Sequence, residues 1–254
     1  MSHLRLAALV TAAIGIALAG CDAAPNSSAS GRPETAREFP QPDRPVSDLG
    51  SNEFSTETQR DSVDEARKVM DFAALEPGMT VADIGAGEGY YTIRLAQRVG
   101  EKGRVLAQDI DRDVLQRLGN RVERERLDNV SITLGSADDP HLPDNSFDRI
   151  FMVHMYHEVS EPYAFLWRLW PALKEGGRAI VVDVDRPTDQ HGIDPFLLKC
   201  EFEQVGFELA TFRDSPELAG YYAEFRRGAT RPGPGEVKPC TGAAAKAAGG
   251  GAKR

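Results

Sequence analysis

The middle of the chain alternates short apolar runs with stretches in which apolar residues recur every three or four positions. Runs of this length bounded by Gly, Pro and polar residues are typical of buried strands, and the periodic stretches are typical of amphipathic helices. The runs predict strands at 80–84, 104–108, 130–134, 147–153 and 178–184. The periodic stretches predict helices at 62–75, 90–99, 113–125 and 161–174. This alternation predicts parallel strands joined by right-handed crossovers.

The pattern changes after the fifth strand. Residues 195–205 are a further predicted helix, and 207–212 and 221–225 are predicted strands whose connection has no helical period. An antiparallel pair at one edge is therefore expected. The prediction is an α/β fold with a seven-stranded sheet, mostly parallel with an antiparallel edge strand, and with helices on both faces.

The start of the chain has the pattern of an export signal. Residues 1–20 have a charged start, an uncharged run from Leu6 to Ala19 and small residues before Cys21, which predicts a signal peptide. Leu18-Ala19-Gly20-Cys21 resembles the bacterial lipobox, and this resemblance implies that Cys21 is diacylated and becomes the first residue. A plain signal peptide or an uncleaved anchor is the alternative. The expected location is the bacterial cell envelope, lipid-anchored and facing the periplasm, and Asp22 resembles an inner-membrane retention signal of enteric bacteria.

Two further segments have compositions unlike the middle of the chain. Residues 21–55 are rich in Pro and poor in apolar residues, which predicts a flexible linker. Residues 228–254 are rich in Gly, Ala, Lys and Pro, which predicts a disordered tail. One domain at 56–227 lies between them.

The overall composition is that of an ordinary globular protein with one core, since 41% of the 254 residues are hydrophobic and 27% are charged. A net charge of -9 argues against nucleic acid as a partner, because nucleic-acid binders concentrate Lys and Arg. Cys21, Cys200 and Cys240 form no C-x-x-C pair, and no His/Cys spacing indicates a metal site, so no metal is expected. A Cys200–Cys240 disulfide is an alternative in an oxidising compartment, but Cys240 lies in the predicted tail.

Candidate chemistry is concentrated where the first predicted strand ends. The run Val81–Ile84 is followed by Gly85, Gly87 and Gly89, which let the backbone turn sharply and approach a ligand before the next helix begins. Asp109 closes the second strand, twenty residues after Gly89. A carboxylate at this position can accept both hydroxyls of a ribose. The pairing predicts a nucleoside-containing ligand.

The glycine spacing is G-x-G-x-G, whereas dinucleotide sites use G-x-G-x-x-G. With three further segments in the same order, this loop resembles the class I S-adenosylmethionine-dependent methyltransferases over residues 62–225. The further segments are Asp109-Ile110, then Gly135-Ser136-Ala137-Asp138-Asp139 before Leu142-Pro143-Asp144-Asn145-Ser146-Phe147-Asp148, and Gly176-Gly177 before the fifth strand. The resemblance implies the Rossmann-like fold of that family and S-adenosyl-L-methionine as cofactor.

The resemblance also implies roles for individual residues. The residues expected to border the methionine part of the cofactor, or to contact it from the same loop, are Asp83, Gly85, Ala86, Gly87 and Gly89. Asp109 is expected to hold the ribose and Ile110 to pack on the adenine, with Ala137 and Asp138 at the adenine edge. Ser136 departs from the family pattern, since many relatives carry an acid there, so the adenine contact is expected from Asp138 or from backbone.

The segment after the fourth predicted strand is expected, by the same resemblance, to face the transferring methyl group. His157 is the candidate base, with His154 and Glu158 beside it, because imidazole titrates near neutral pH. Histidines that only hydrogen-bond their loop are the alternative. Further candidates for lining the acceptor pocket follow the fifth strand, namely Asp183, Asp185 and His191.

Missing motifs narrow the methyl acceptor. No Asn/Asp-Pro-Pro-Tyr/Phe follows the fourth strand, which disfavours amino methylation of adenine or glutamine, and no Pro-Cys is present there, which disfavours 5-methylation of cytosine. The cysteine set of arsenite methyltransferases is also missing. A small molecule, a lipid-like molecule or a protein is left as the acceptor.

Three functions are compatible with these patterns to different degrees. The leading hypothesis is a lipid-anchored methyltransferase, which would need a supply of its cytosol-made cofactor outside the cytosol. The second is an exported lipoprotein that binds a nucleoside-type ligand without catalysis. The third, a dinucleotide-dependent oxidoreductase, is disfavoured by the glycine spacing.

Overall fold

The sheet predicted from the alternating pattern is present in the computed structural model. Its strands are β1 (Thr80–Ile84), β2 (Arg104–Asp109), β3 (Val130–Leu134), β4 (Phe147–Val153), β5 (Leu173–Asp183), β6 (Phe207–Ser215) and β7 (Gly220–Arg227). They are arranged in the order β3-β2-β1-β4-β5-β7-β6. The pairs among β1–β5 are parallel, and β7 is antiparallel to both β5 and β6. The predicted fold class is confirmed, with β7 as the antiparallel strand and β6 beyond it at the edge.

The structure describes residues 31–47, 56–218 and 220–241. The chain divides into two units, Met1–Arg32 and Pro33–Arg254, and the account that follows concerns the second. Several predicted segments lie outside the described residues. They are the signal peptide, Cys21, residues 22–30 and 48–55 of the linker, and the last thirteen residues of the tail.

Helices cover both faces of the sheet because side chains along each strand alternate between the faces. The helices are α1 (Glu57–Ser62), α2 (Glu65–Phe72), α3 (Tyr90–Val99), α4 (Arg112–Arg124), α5 (Pro162–Leu169) and α6 (Pro195–Gln204). Val81 of β1 packs in a cluster with α2 and α3, while Ala82 and Ile84 pack on the opposite face with α5 and α6.

The order of the strands reverses at β1, which lies between β2 and β4. In open α/β sheets, a ligand binds outside the carboxyl ends of the strands at such a switch point. The residues that follow β1, β2 and β4 therefore share one edge. They are the three segments in which the sequence predicts the cofactor and acceptor sites.

The helix predicted at 161–174 is shorter in the structure, and Pro171 is the reason. Proline has no N–H to continue the helix and clashes with the carbonyl four residues earlier. The carbonyl of Trp167 instead accepts a hydrogen bond from Arg231 Nη1 at 2.9 Å. β5 accordingly begins earlier than predicted, at Leu173, so the Gly176-Gly177 pair lies inside the strand instead of ending the helix.

Residues 33–47, which we call the strap, pack on the domain, whereas the sequence predicts a flexible linker there. Ala36 and Phe39 are buried in the same cluster as α5 and α6, and the Phe39 ring contacts the Trp167 ring edge-on. Arg44 is almost fully buried and forms an ion pair of 2.8 Å with Glu201 of α6. A few anchoring side chains thus fix a segment whose average composition is that of a linker.

Residues 228–241 also pack on the domain, in place of the predicted disorder. Cys240 is buried and forms a disulfide with Cys200 of α6, with 6.1 Å between the Cα atoms. Its backbone N–H donates to the Tyr163 hydroxyl at 2.6 Å. The sequence predicts this disulfide only as an alternative, because a Gly/Pro-rich segment gives no indication that Cys240 has a fixed position.

Within the described residues, none of the helices combines the length and the apolar character that crossing a membrane requires.

Candidate functional site

The glycine loop after β1 has a backbone that only glycine adopts readily. Gly85, Gly87 and Gly89 have φ values of 65°, 54° and 91°, in the left-handed region that disfavours residues with a Cβ. A Cβ on Gly85 would lie 2.9 Å from the side chain of Met155, whereas a Cβ on Gly87 would meet nothing within 4 Å. The loop therefore packs against the β4 side at Gly85 and borders open space at Gly87.

Asp109 fixes this loop to the end of β2. One carboxylate oxygen, Oδ2, accepts the Gly87 N–H at 3.0 Å, and Oδ1 accepts the N–H groups of Ile110 and Asp111 at 2.7 and 3.0 Å. Ile110 follows Asp109 directly and is 39% exposed. The structure thus brings the predicted ribose acid and the predicted adenine contact to the glycine loop.

Asp83 is buried at the end of β1, behind the loop. Thr92 Oγ1 of α3 donates to its Oδ2 at 2.5 Å. Burial raises the pKa of Asp83, and the negative charge of Asp109 adds to this; the Thr92 hydrogen bond and the charge of Arg60 oppose it, leaving a pKa of about 6. Asp83 therefore changes charge just below neutral pH.

Asp138 is held by other protein groups. Its Oδ2 accepts from Thr35 at 2.6 Å and from Arg168 at 2.8 Å, and its Oδ1 accepts from Ser136 at 2.9 Å. Burial opposes ionisation, but these hydrogen bonds and the Arg168 charge outweigh it, so the pKa of Asp138 lies below its ordinary value. This arrangement favours the backbone at Ala137, rather than the Asp138 carboxylate, for the predicted contact at the adenine edge.

Gln108 is a polar residue of this region that the sequence analysis did not identify. It directly precedes Asp109 on β2, and its side chain is buried beside Gly135. Its Nε2 atom is the one buried side-chain nitrogen or oxygen without a hydrogen-bond partner among the described residues. Nothing in the sequence distinguishes it, because a single glutamine in a strand carries no motif.

His157 and Asp183 form a buried pair across the ends of β4 and β5. His157 Nδ1 lies 3.0 Å from both carboxylate oxygens of Asp183, and Asp183 is fully buried. Because a carboxylate only accepts hydrogen bonds, Nδ1 carries a proton, and in the neutral form of the ring the lone pair is on Nε2. Nε2 lies 4.0 Å from Glu158 Oε1, and the ring contacts His191 edge-on with 5.7 Å between centroids. The predicted candidates His157, Glu158 and His191 are thus brought together.

His154 belongs to a different cluster. Its Nε2 lies 3.5 Å from Glu65 Oε2 of α2, and Glu65 also accepts from Arg60 and Tyr91. Burial opposes ionisation of Glu65, but the hydrogen bond and charge from His154, with those from Arg60, outweigh it and lower its pKa to about 2. The structure therefore pairs His154 and His157 with separate carboxylates, which argues against a shared role as base.

Arg44 of the strap holds the segment that carries His157. Its Nη1 and Nη2 donate to the carbonyls of His157 and Val159 at 3.3 and 3.0 Å. The second oxygen of its partner Glu201 accepts from the Tyr156 hydroxyl at 2.8 Å. The sequence does not indicate this contact, because Arg44 is a single arginine in a Pro-rich stretch and belongs to no motif.

Comparison with known proteins decides the family. Residues 75–219 match a family described as a methyltransferase domain. The chain belongs to this methyltransferase family. The matched residues include the glycine loop, Asp109, His157 and Asp183, and exclude the strap and the segment that contains Cys240.

The relatives of this methyltransferase include enzymes of quinone biosynthesis. It is 32% identical over 154 residues to the ubiquinone/menaquinone biosynthesis C-methyltransferase UbiE of Shewanella sp. strain ANA-3, covering 60% of this chain and 57% of that protein. The protein of the same name from Shewanella frigidimarina is 32% identical over 145 residues, covering 56% of this chain and 55% of that protein. The chain therefore spans a little over half the length of these curated relatives.

Solved structures agree with the family. A SAM-dependent methyltransferase from Aquifex aeolicus has a TM-score of 0.60 at 27% identity, covering 65% of this chain and 91% of that one. The [4+2]-cyclase SpnF has a TM-score of 0.59 at 17% identity, covering 77% and 92%, and this likeness concerns the fold alone. S-adenosylmethionine is therefore the cofactor of this methyltransferase.

The residues present fit this cofactor. The open space at Gly87 lies on a loop that Asp109 fixes in position, and the exposed Ile110 is next to it. A carboxylate at Asp83 suits the ammonium of the methionine part, and Asp109 suits the ribose hydroxyls. The individual roles of Asp83, Asp109 and Ile110 remain predictions.

The pKa of Asp83 leads to a prediction about cofactor affinity. We expect the affinity for S-adenosylhomocysteine to fall by about tenfold between about pH 7 and about pH 5. The reason is that a pKa of about 6 leaves the carboxylate mostly charged at the higher pH and mostly neutral at the lower one. Calorimetric titration at both pH values measures the change. The Asp83→Asn variant should bind weakly at both; a tenfold dependence that survives this substitution would assign the titration to another group.

Proposed function

We propose that this protein is a lipid-anchored, extracytoplasmic methyltransferase that uses S-adenosylmethionine to methylate a small-molecule or lipid-like acceptor. The reacting atom of the acceptor is proposed to carry an acidic proton. The observation that carries this proposal is the buried His157–Asp183 pair, which lies two residues from the Met155 side chain that packs on Gly85. The acceptor side of the site thus adjoins the cofactor loop.

The pair accounts for the chemistry that such an acceptor needs. When bound, S-adenosylmethionine supplies a methyl group on a sulfonium, and its displacement requires an aligned nucleophile in a water-poor pocket. Asp183 keeps the proton of His157 on Nδ1 and offsets a positive charge on the ring. The simplest use of the remaining Nε2 lone pair is to accept the proton of the acceptor.

The acceptor class is supported by the relatives. Both are named as C-methyltransferases of ubiquinone and menaquinone biosynthesis, and a carbon nucleophile becomes reactive when a proton on it or on a neighbouring hydroxyl is removed. A lipid anchor at Cys21 would hold the enzyme beside acceptors that reside in a bilayer. A protein acceptor would be the outcome if no lipid-like or small molecule is methylated.

The proposed location has two supports. The lipobox-like Leu18-Ala19-Gly20-Cys21 comes directly after an apolar run. The Cys200–Cys240 disulfide is of a kind that persists in oxidising compartments and is rare in the cytosol. We expect a fatty-acid probe fed to cells to label the wild-type chain and to leave Cys21→Ser unlabelled. Equal labelling of the two would contradict the lipid anchor.

One titration tests the enzyme class against its alternatives. The full chain with Cys21→Ser, purified under non-reducing conditions, is titrated with S-adenosylhomocysteine and with NAD in a calorimeter. Binding of the first ligand alone is expected. The absence of that binding would contradict the proposal. A binding lipoprotein without catalysis would instead bind it and transfer no methyl group to the lipids, the small molecules or the proteins of a cell-envelope extract.

A further inference from the structure

Three side chains that commonly bind metals converge beyond the ends of β4 and β5. His157, Glu158 and His191 each offer one ligand atom, and these atoms all lie within 4.8 Å of one another. His157 and Glu158 come from the 3₁₀ turn Tyr156–Glu158, and His191 comes from the loop that follows β5. Local spacing in the sequence does not indicate this metal site, because His191 is more than thirty residues from the other two ligands.

A fourth residue orients the first of these ligands. Asp183 accepts the Nδ1 proton of His157, which leaves Nε2 as the atom that faces Glu158 and His191. Histidines that bind metals nearly always donate their other ring N–H to a carboxylate or carbonyl, which fixes the tautomer and the ring plane. Asp183 is fully buried and also accepts the Val184 N–H at 2.8 Å, so its own position is fixed.

The strap holds the third ligand in place. The His191 N–H donates to Ser47 Oγ at 3.2 Å, and Ser47 Oγ in turn donates to the carbonyl of Thr188. His191 itself has a left-handed backbone with φ of 54°, which costs energy for a residue with a Cβ and persists where the surroundings enforce it. The loop is thus held in the conformation that turns His191 toward His157.

We propose that His157, His191 and Glu158 bind a divalent cation of the zinc class, with Asp183 as the residue that positions His157. Two histidines and one glutamate are a ligand set of catalytic zinc sites, in which the fourth position is open to water or substrate. Tetrahedral coordination needs ligand atoms roughly 3.4 Å apart. The separations are 4.0 Å between His157 and Glu158 and at most 4.8 Å among the three ligand atoms, so they must shorten by about 0.6 to 1.4 Å. Glu158 and His191 are partly exposed and can make this adjustment.

This inference rests on the proposed function and makes its acceptor side more specific. A cation on Nε2 would take the lone pair that is proposed above to accept the proton, so His157 would then act as a metal ligand and not as the base. A hydroxyl or thiol of the acceptor would occupy the open position, and coordination would ionise it, with its proton leaving to solvent. The acceptor would then be a molecule with a metal-binding oxygen or sulfur at or next to the methylated atom.

Metal titration tests the site without any methyl transfer. The full chain with Cys21→Ser, free of affinity tags and treated with chelator, is titrated with Co²⁺, whose visible absorption intensifies in tetrahedral sites, and then with Zn²⁺ as competitor. We expect one equivalent to bind, and His191→Ala to weaken the affinity at least 100-fold. Asp183→Asn should weaken it 10- to 100-fold. His141→Ala is the matched control, because His141 is exposed and outside the cluster, and it should bind as the unsubstituted chain does.

Cofactor binding separates the possible failures. His191 is not among the predicted cofactor contacts, so His191→Ala should bind S-adenosylhomocysteine normally. If it does not, the isosteric Glu158→Gln replaces it as the test, with the same expected loss of metal affinity. Absence of tight Co²⁺ or Zn²⁺ binding by the unsubstituted chain, or equal binding by the variants, would overturn the metal site and leave the methyltransferase proposal intact. Metal binding without S-adenosylhomocysteine binding would overturn the methyltransferase proposal and leave the metal site intact.

Discussion

Asp109→Ala is expected to lose about 100-fold or more in affinity for S-adenosylhomocysteine while the protein stays folded. A hydrogen bond to a charged group contributes about 1.5 to 3 kcal/mol, and a carboxylate that accepts two ribose hydroxyls would make two of them. The substitution also removes the acceptor that holds the Gly87 N–H at 3.0 Å. The loop and the ribose contact are therefore lost together. Calorimetric titration measures the affinity, and circular dichroism reports the fold.

Two further substitutions sharpen this prediction. Asp109→Asn keeps the size of the side chain and one acceptor oxygen, so an intermediate loss of about tenfold is expected. Asp113→Asn changes an exposed acid in the first turn of α4, four residues along the chain, and should leave affinity unchanged. If Asp109→Ala bound within threefold of the unsubstituted chain, the assignment of the ribose to Asp109 would be wrong.

Arg44→Met is expected to destabilise the protein by about 3 to 5 kcal/mol, because it leaves the Glu201 carboxylate buried without its charge partner. Urea unfolding measures this loss. The same substitution removes the donors to the carbonyls of His157 and Val159. Hydrogen exchange of the backbone at 155–159, followed by mass spectrometry, should therefore become faster.

A double variant separates these two effects. Arg44→Met with Glu201→Gln removes both charges, so no unpaired charge stays buried, and the amide oxygen introduced at position 201 can still accept from the Tyr156 hydroxyl. We expect it to regain most of the stability lost in the single variant, while exchange at 155–159 stays fast because the carbonyls still lack donors. Arg37→Met, at an exposed position of the same strap, should change neither quantity. Slow exchange in both Arg44 variants would show that the strap does not position His157.

The parts of the fold that were predicted correctly are those whose signal is local. β1, β3, β4 and α3 have the predicted bounds, because each is an apolar or periodic run bounded by glycine or polar residues. The end of α5 was missed because the periodic pattern continues past Pro171, where the backbone cannot. The packing of the strap and of the segment with Cys240 was not predicted. Their average composition is that of a linker or a tail, and the few side chains that are buried do not change that average.

The candidate site shows the same division between local and long-range signal. The glycine loop and Asp109 form a motif that is legible in sequence, since each lies at the end of a predictable strand. His157, Asp183 and His191 were each identified as candidates, but their proximity depends on β4 and β5 being neighbours. Arg44 could not be found at all, because its partner Glu201 is 157 residues away and neither residue belongs to a motif.

The separation between Arg44 and Glu201 also has a consequence for the order of folding. The strap is synthesised before the rest of the domain, yet its partners are in α6 and in the turn before α5. Contacts between residues so far apart in the sequence form late in folding, because the loop between them must close before they contribute. We therefore expect the cofactor loop to become native first and the His157 turn last, after α6 has formed and Arg44 has paired with Glu201. The cofactor side of the site would then be complete before the acceptor side.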